Sequence, residues 1–126
     1  MKMKYEHVIS EFLKDFPEYF SMYKEHINLN EGELPHVFFG ETLNEDLPQL
    51  IMINNIKKLE KIFNFLERMS LEGDQNVKDL LSVTILARLG DEPDLLKYAK
   101  HNYMGVLTKK ASVGIEKFWG RDFNIH

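Results

Sequence analysis

The sequence predicts an all-α domain. Three observations carry that expectation. Apolar residues recur at three- and four-residue spacing through most of the chain. No stretch alternates polar with β-branched residues, as a half-buried strand would. Gly-Asp pairs at Gly73-Asp74 and Gly90-Asp91 punctuate the middle as helix stops and starts. The expected architecture is a compact helical bundle or a short HEAT-like α–α solenoid of about six to seven helices. A length of 126 residues suits one domain over 1–126, with N-terminal helices in 1–27 and a core in 34–120.

The first helix follows from Tyr5, Val8, Ile9, Phe12, Leu13 and Phe16, which form one stripe on a 3.6-residue period. Pro17 ends or kinks it and suits the first turn of the next helix. That second helix carries Tyr19, Phe20 and Tyr23 and fades by Ile27, before a polar loop over Asn28 to Glu33. The run Leu34-Pro35-His36-Val37-Phe38-Phe39-Gly40 is either a short helix opened by Pro35 or extended chain, and periodicity over so few residues leaves both open. Leu43 to Leu50 reads as a loop and short helix capped by Asn44, with Pro48 in its first turns, broken by Asn54-Asn55.

The central helix carries Ile56, Leu59, Ile62, Phe63, Leu66 and Met69 inward. Gly73 is expected to close it in the left-handed conformation that glycine tolerates. Asp74 caps a helix whose apolar residues Val77, Leu80, Leu81, Val83, Ile85, Leu86 and Leu89 cover more than one face, which places it centrally. Leu89-Gly90-Asp91 repeats the same stop-and-cap pattern. Pro93 opens a helix with Leu95, Leu96, Ala99 and Tyr103 inward, and Met104-Gly105 breaks it. The last helix is expected to turn Leu107, Ala111, Ile115, Phe118 and Trp119 to the core. Gly114 within it costs about 1 kcal/mol relative to Ala, which a close helix contact would explain.

Composition narrows the chemistry. With 44% hydrophobic and 29% charged residues the chain is globular, and zero Cys excludes disulfides, thiolate metal sites and a cysteine nucleophile. No apolar run approaches the roughly 20 residues of a membrane span, and the N-terminus lacks the apolar core of a signal peptide. The expectation is a cytoplasmic domain without membrane contact.

The net charge of −4 is unevenly laid out. From Glu25 to Ile56 there is no Lys or Arg, while Glu25, Glu31, Glu33, Glu41, Glu45 and Asp46 are present. From Lys97 to Arg121, Lys97, Lys100, Lys109, Lys110, Lys117 and Arg121 face Glu116 alone. Such asymmetry either serves solubility or steers a charged partner.

Histidines show no His-Glu-x-x-His or His-x-His spacing, so no metal site is expected. The pairs Glu45-Asp46 and Asp91-Glu92 stand ahead of helices, where acids stabilise the positive helix end, and this outweighs acid–base chemistry. No serine has nucleophile-elbow context, no glycine-rich phosphate loop exists, and no catalytic residue or cofactor is expected. The basic C-terminal segment with Tyr98, Tyr103 and Trp119 suggests nucleic acid. The negative total and the place of Trp119 in a core stripe argue against it. Phe38-Phe39 beside the acidic stretch offers an anchor if one ring is exposed, and core if neither is. The candidate partner-binding set is Glu31, Glu33, His36, Phe38, Phe39, Glu41, Glu45 and Asp46.

Three stretches, Leu34 to Gly40, Leu59 to Glu67, and Leu89-Gly90-Asp91 followed by Ile115-Glu116-Lys117-Phe118-Trp119-Gly120, together resemble a family of small uncharacterised bacterial proteins common in Bacillus-like Gram-positives. The resemblance spans about residues 34–120. Some of those relatives resemble immunity proteins of polymorphic toxin systems, which block a cognate toxin. It implies a non-enzymatic inhibitor whose partner is a cognate protein such as a basic toxin domain, and it brings no catalytic residues. A helical scaffold or nucleic-acid adaptor using the basic segment, and a metal-dependent hydrolase built on His36 and nearby carboxylates, are the alternatives.

Overall fold

The structure, a computed structural model, describes residues 2–121. It is an all-α bundle. A single turn of 3-10 helix at Tyr5–His7 leads into α1 (Val8–Asp15), which buries Val8, Ile9 and Phe12 as the stripe requires. Pro17–Tyr19 form a second 3-10 turn before α2 (Phe20–Asn30). This helix runs past Ile27 through residues whose composition favours a turn. Asn30 donates its amide to the His26 carbonyl, and Glu31 ends the helix in the left-handed region at φ 56°. The loop is therefore confined to about Glu31 to Leu34.

Leu34 to Gly40 resolves as helix α3 (Pro35–Glu41), with Pro35 in its first turn, where a missing N–H costs nothing. After it come α4 (Leu43–Met52) and α5 (Ile56–Glu72). Asn44 is not the cap of α4. Thr42 holds that position, and Asn44 lies inside the helix with its amide turned to the Thr84 carbonyl. Asn55 caps α5 by accepting the Lys58 amide.

Gly73 closes α5 in an extended conformation, φ −70° and ψ 147°, and not a left-handed one. Glycine is needed there for space: a Cβ would collide with the Met69 carbonyl oxygen and the Val77 side chain. The N-terminal segment is tied to this corner. Met3 donates to the Glu72 carbonyl at 2.7 Å and accepts from the Asp74 amide at 3.0 Å. Asp74 caps the next helix as expected, accepting the Val77 amide at 2.9 Å, and also takes the Tyr5 amide at 3.0 Å. One aspartate thus ties two chain segments 69 positions apart.

That helix continues from α6 (Gln75–Asp79) through a π-helical stretch, Leu80–Leu86, to α7 (Ala87–Gly90). Leu80, Leu81, Ile85, Leu86 and Leu89 are buried, so it is central, although Val83 is exposed. The second Gly-Asp pair does not repeat the first. Gly90 is helical and buried, and a Cβ there would strike the Glu116 carboxylate and the Arg121 guanidinium. Asp91 is not the N-cap of the next helix, a position that Glu92 holds without a side-chain hydrogen bond; Asp91 pairs with Arg121 at 2.6 Å, and Glu92 with Arg88 at 3.1 Å.

Two further helices, α8 (Pro93–Asn102) and α9 (Val106–Phe118), complete the bundle. The core joins α1, α3, α4, α5 and the π-helical stretch through Phe12, Phe16, Phe38, Phe39, Leu43, Phe63, Phe65, Leu66, Leu80 and Leu86, all almost fully buried. Phe12 sits at its centre, with the rings of Phe16, Phe38, Phe39 and Phe65 between 4.9 and 6.1 Å away.

Helix α9 departs most from the expected packing. Its fully buried row is Thr108, Ser112 and Glu116, one position round from the apolar row. Ala111 and Ile115 pack on the core from the flank. Phe118 is 78% exposed and Trp119 54% exposed, so neither points inward. Gly114 is open to solvent, with nothing near enough for a Cβ to meet, and close helix contact does not explain it.

Candidate interaction site

The acidic stretch folds into the end of α2, all of α3 and the start of α4. Glu31, Glu33, Glu41 and Glu45 are exposed and Asp46 is partly buried. Glu33 accepts the Tyr23 hydroxyl at 2.6 Å, and this hydrogen bond pushes the Tyr23 phenol up to about 12. Asp46 accepts the Tyr19 hydroxyl. Burial, reinforced by that bond, raises the Tyr19 phenol far above its usual range. Glu45 and Asp46 both lie in the first turn of α4, where their charge suits the helix end. Glu41 stands 3.7 Å from the buried His26 ring, whose Nε2 accepts the Leu34 amide at 3.0 Å. His26 therefore fixes the turn that presents the acids.

Phe38 and Phe39 do not belong to the exposed set. Both are fully buried, so neither can anchor a partner. Both rings pack on Phe12 of α1, and Phe38 also meets Tyr23 and His26 of α2. The exposed apolar side chains of this region are Leu29, Leu34 and Val37 instead.

His36 lies on the solvent side of α3. Its Nδ1 shares a hydrogen bond with the Thr84 hydroxyl at 2.5 Å, and Asn44 donates to the Thr84 carbonyl at 3.1 Å. Thr84 belongs to the π-helical stretch, where the i→i+5 pattern changes which groups face outward, a feature common at functional sites. On one side of this bridge is a depression of about 310 Å³ lined by Tyr5, Glu33, Leu34, Pro35, His36 and Val37. On the other is one of about 330 Å³, lined by Val83, Thr84, Ala87, Arg88, Asp91, Trp119 and Arg121. Stretches distant in sequence thus meet around one bridge.

The basic segment is a separate surface. Arg121 is committed inside the chain: it binds Asp91, the Ala87 carbonyl at 3.0 Å and Glu116 at 2.7 Å. Lys100, Lys109 and Lys110 with Val113 line an open depression of about 380 Å³. Among the described residues no ion pair joins the acidic to the basic segment. Among them also no group of three or more His, Asp or Glu is arranged to hold a metal ion. No helix of the described residues is long and apolar enough to cross a membrane.

Sequence reasoning missed Thr84 beside His36 and Tyr23 beside Glu33. The signal for Thr84 was a hydroxyl, one of two with Ser82, in an otherwise apolar run, Leu80 to Leu86. Its partner could not be read from that run.

An all-α domain with polar and apolar depressions on its surface is a class of protein shared by many binding modules. Within it the chain belongs to the family described as Domain of unknown function (DUF7674), whose model matches residues 9–120. The match takes in α1 and α2 together with the 34–120 core. No curated protein and no solved structure matches the chain.

Proposed function

We propose that the chain is a non-enzymatic protein-interaction domain of the cytoplasm, an immunity-type inhibitor that binds and neutralises a cognate bacterial toxin. The observation that carries this reading is the exposed surface from Glu31 to Asp46, between the end of α2 and the start of α4, which holds no Lys or Arg. Glu31, Glu33, Glu41 and Glu45 stand there beside exposed Leu29, Leu34 and Val37. Apolar contact supplies affinity, and the acids speed encounter with a basic partner and set its orientation. The bacterial, toxin-directed part of the reading rests on the family resemblance of the three sequence stretches. The HEAT-type relationship rests on one unit, α5 with Gly73-Asp74 and α6, and is part of the same proposal.

The test is co-expression with a toxin-like domain encoded in a neighbouring reading frame. Growth should be restored and a complex should elute as one species. Charge reversal at Glu31, Glu41 and Glu45 should slow association and flatten its salt dependence. Unchanged kinetics in that variant, or no complex at all, would overturn the proposal.

A second reading has one observation in its favour. Phe118 and Trp119 are exposed near Lys117, at the end of a helix that also carries Lys109 and Lys110. This removes the argument that Trp119 is core and gives a nucleic-acid adaptor its stacking surface. A gel shift at low salt tests it, and no shift there would sink it.

A further inference from the structure

Glu33 is the common wall of two depressions. One is the depression of about 310 Å³ shared with Tyr5, Leu34, Pro35, His36 and Val37. The other, about 350 Å³, is lined by Ser10, Leu13, Lys14, Phe20, Tyr23 and Glu33. The carboxylate is not a loose surface charge. The Tyr23 hydroxyl holds it at 2.6 Å, and Tyr23 is itself fixed by edge contact with the buried Phe38 ring and by stacking with Phe20. Both depressions are walled mainly by apolar or aromatic side chains, and Phe20, Leu34 and Val37 are left exposed at their rims.

The cations nearby are already placed. Lys14 pairs with Glu11 at 2.7 Å, and Lys24 lies over the Phe20 ring, 5.4 Å from its centroid. Glu33 has no ion-pair partner within 4.0 Å among the described residues. The next cationic residue along the chain after Lys24 is Lys57.

We propose that this saddle receives a lysine or arginine side chain of a partner protein, with apolar neighbours of that residue entering the depression on either side of Glu33. Charge complementarity selects the cation, because Glu33 lies in a stretch without one. A long cationic side chain also fits the walls: its methylene stem can lie along Leu13 or Leu34 while its head meets the carboxylate. Tyr23, Phe20 and Tyr5 present ring faces or edges at the same place, which suits arginine in particular. The two depressions with their exposed rims form a surface broader than a small cation would use, so the occupant is a protein segment. This site rests on the interaction-domain reading above and gives that reading a recognition rule.

The test uses a library of short random peptides displayed on phage and selected on the whole purified protein. Enriched peptides should carry Lys or Arg beside a branched or aromatic residue. Against a synthetic copy of the best peptide, Glu33→Lys should weaken binding by about tenfold or more, while Glu60→Lys, at an exposed acid on α5, should leave it within about twofold. Tyr23→Phe, which keeps the ring and frees the carboxylate, should weaken it by a smaller factor. Circular dichroism confirms that each variant is folded.

Enriched peptides that lack a basic residue, or that bind Glu33→Lys as well as wild type, overturn this site and leave the interaction reading standing. Selection that enriches no peptide overturns the site, while toxin rescue and complex formation then decide the wider reading separately.

Discussion

The Glu67 carboxylate of α5 caps helix α9. It accepts the Thr108 amide at 2.9 Å, the Thr108 hydroxyl at 2.7 Å and the Leu107 amide at 3.1 Å. A helix start leaves its first amides without intrahelical partners, and here the missing acceptor comes from 41 positions away. Gly105 lets the two helices approach, since a Cβ there would collide with the same carboxylate. Removal of the carboxylate as Glu67→Ala should lower stability by about 2 kcal/mol, typical of lost charged hydrogen bonds at a helix start. Chemical denaturation checks it, and a loss within experimental error would refute the capping role.

The same carboxylate makes stability depend on acid. Burial opposes its charge, but the hydrogen bonds from Thr108 and Leu107 outweigh that and hold the carboxyl below its ordinary value. Glu11 is lowered as well, by its hydrogen bonds to Lys14 and Arg68, and Asp74 by the Val77 and Tyr5 amides. A group lowered on folding gives its full stabilisation above its unfolded value, about 4.3 for Glu. That contribution is lost as pH falls through the lowered folded value. Denaturation midpoints should therefore be flat from neutral down to about pH 5 and fall below it. Glu67→Gln should be less stable than wild type at neutral pH, with the gap narrowing in acid; a constant gap would contradict this.

Glu116 is 1% exposed, and it pairs with Arg121 at 2.7 Å. Arg121→Ala would strand that carboxylate beside Gly90 and should cost about 3 kcal/mol, as breaking a buried pair does. The double variant Glu116→Leu/Arg121→Met should recover most of the loss, because a matched apolar pair leaves no charge buried. If the double variant is no better than the single, the pair is not the source of the effect.

Trp119 is the sole tryptophan, and it is 54% exposed. Its fluorescence should be readily quenched by acrylamide in the native protein, and unfolding should change its quenching little. A strongly protected indole would place Trp119 in the core after all. If binding covers the depression beside Val83 and Thr84, its emission should shift to the blue.

Phe38 and Phe39 are expected to matter for stability and not for recognition. Either residue changed to Ala should cost about 3–5 kcal/mol, the range for large core aromatics. Leu34→Ala at the N-cap of the same helix, or Val37→Ala on its exposed side, should cost well under that. Equal losses at all four positions would contradict the division of α3 into a core face and a solvent face.

Local pattern carried much of the fold. The stripe from Tyr5 to Phe16, the Asp74 cap and the breaks at Asn54-Asn55 and Met104-Gly105 are each written in a few neighbouring residues, and each appears in the structure. The polar face of α9 was not legible in that way. Hydropathy ranks Leu107, Phe118 and Trp119 above Thr108, Ser112 and Glu116, and only the positions of Glu67 and Arg121 reverse the order. Of the candidate site, the exposed acids were visible as a cation-free stretch. The burial of Phe38 and Phe39 was undecidable over seven residues, and the Thr84 partner of His36 lies 48 positions away.

What the sequence by itself determined is the class of structure and the separation of charge, because periodicity and composition are local sums that survive any packing. What only the tertiary structure decided is which of those residues meet: Glu33 with Tyr23 between two depressions, His36 with Thr84 on a π-helical turn, Glu67 with the start of α9. Those pairings depend on the angles at which helices cross and on the space a missing Cβ leaves, and neither quantity is encoded in the spacing of residues along one helix.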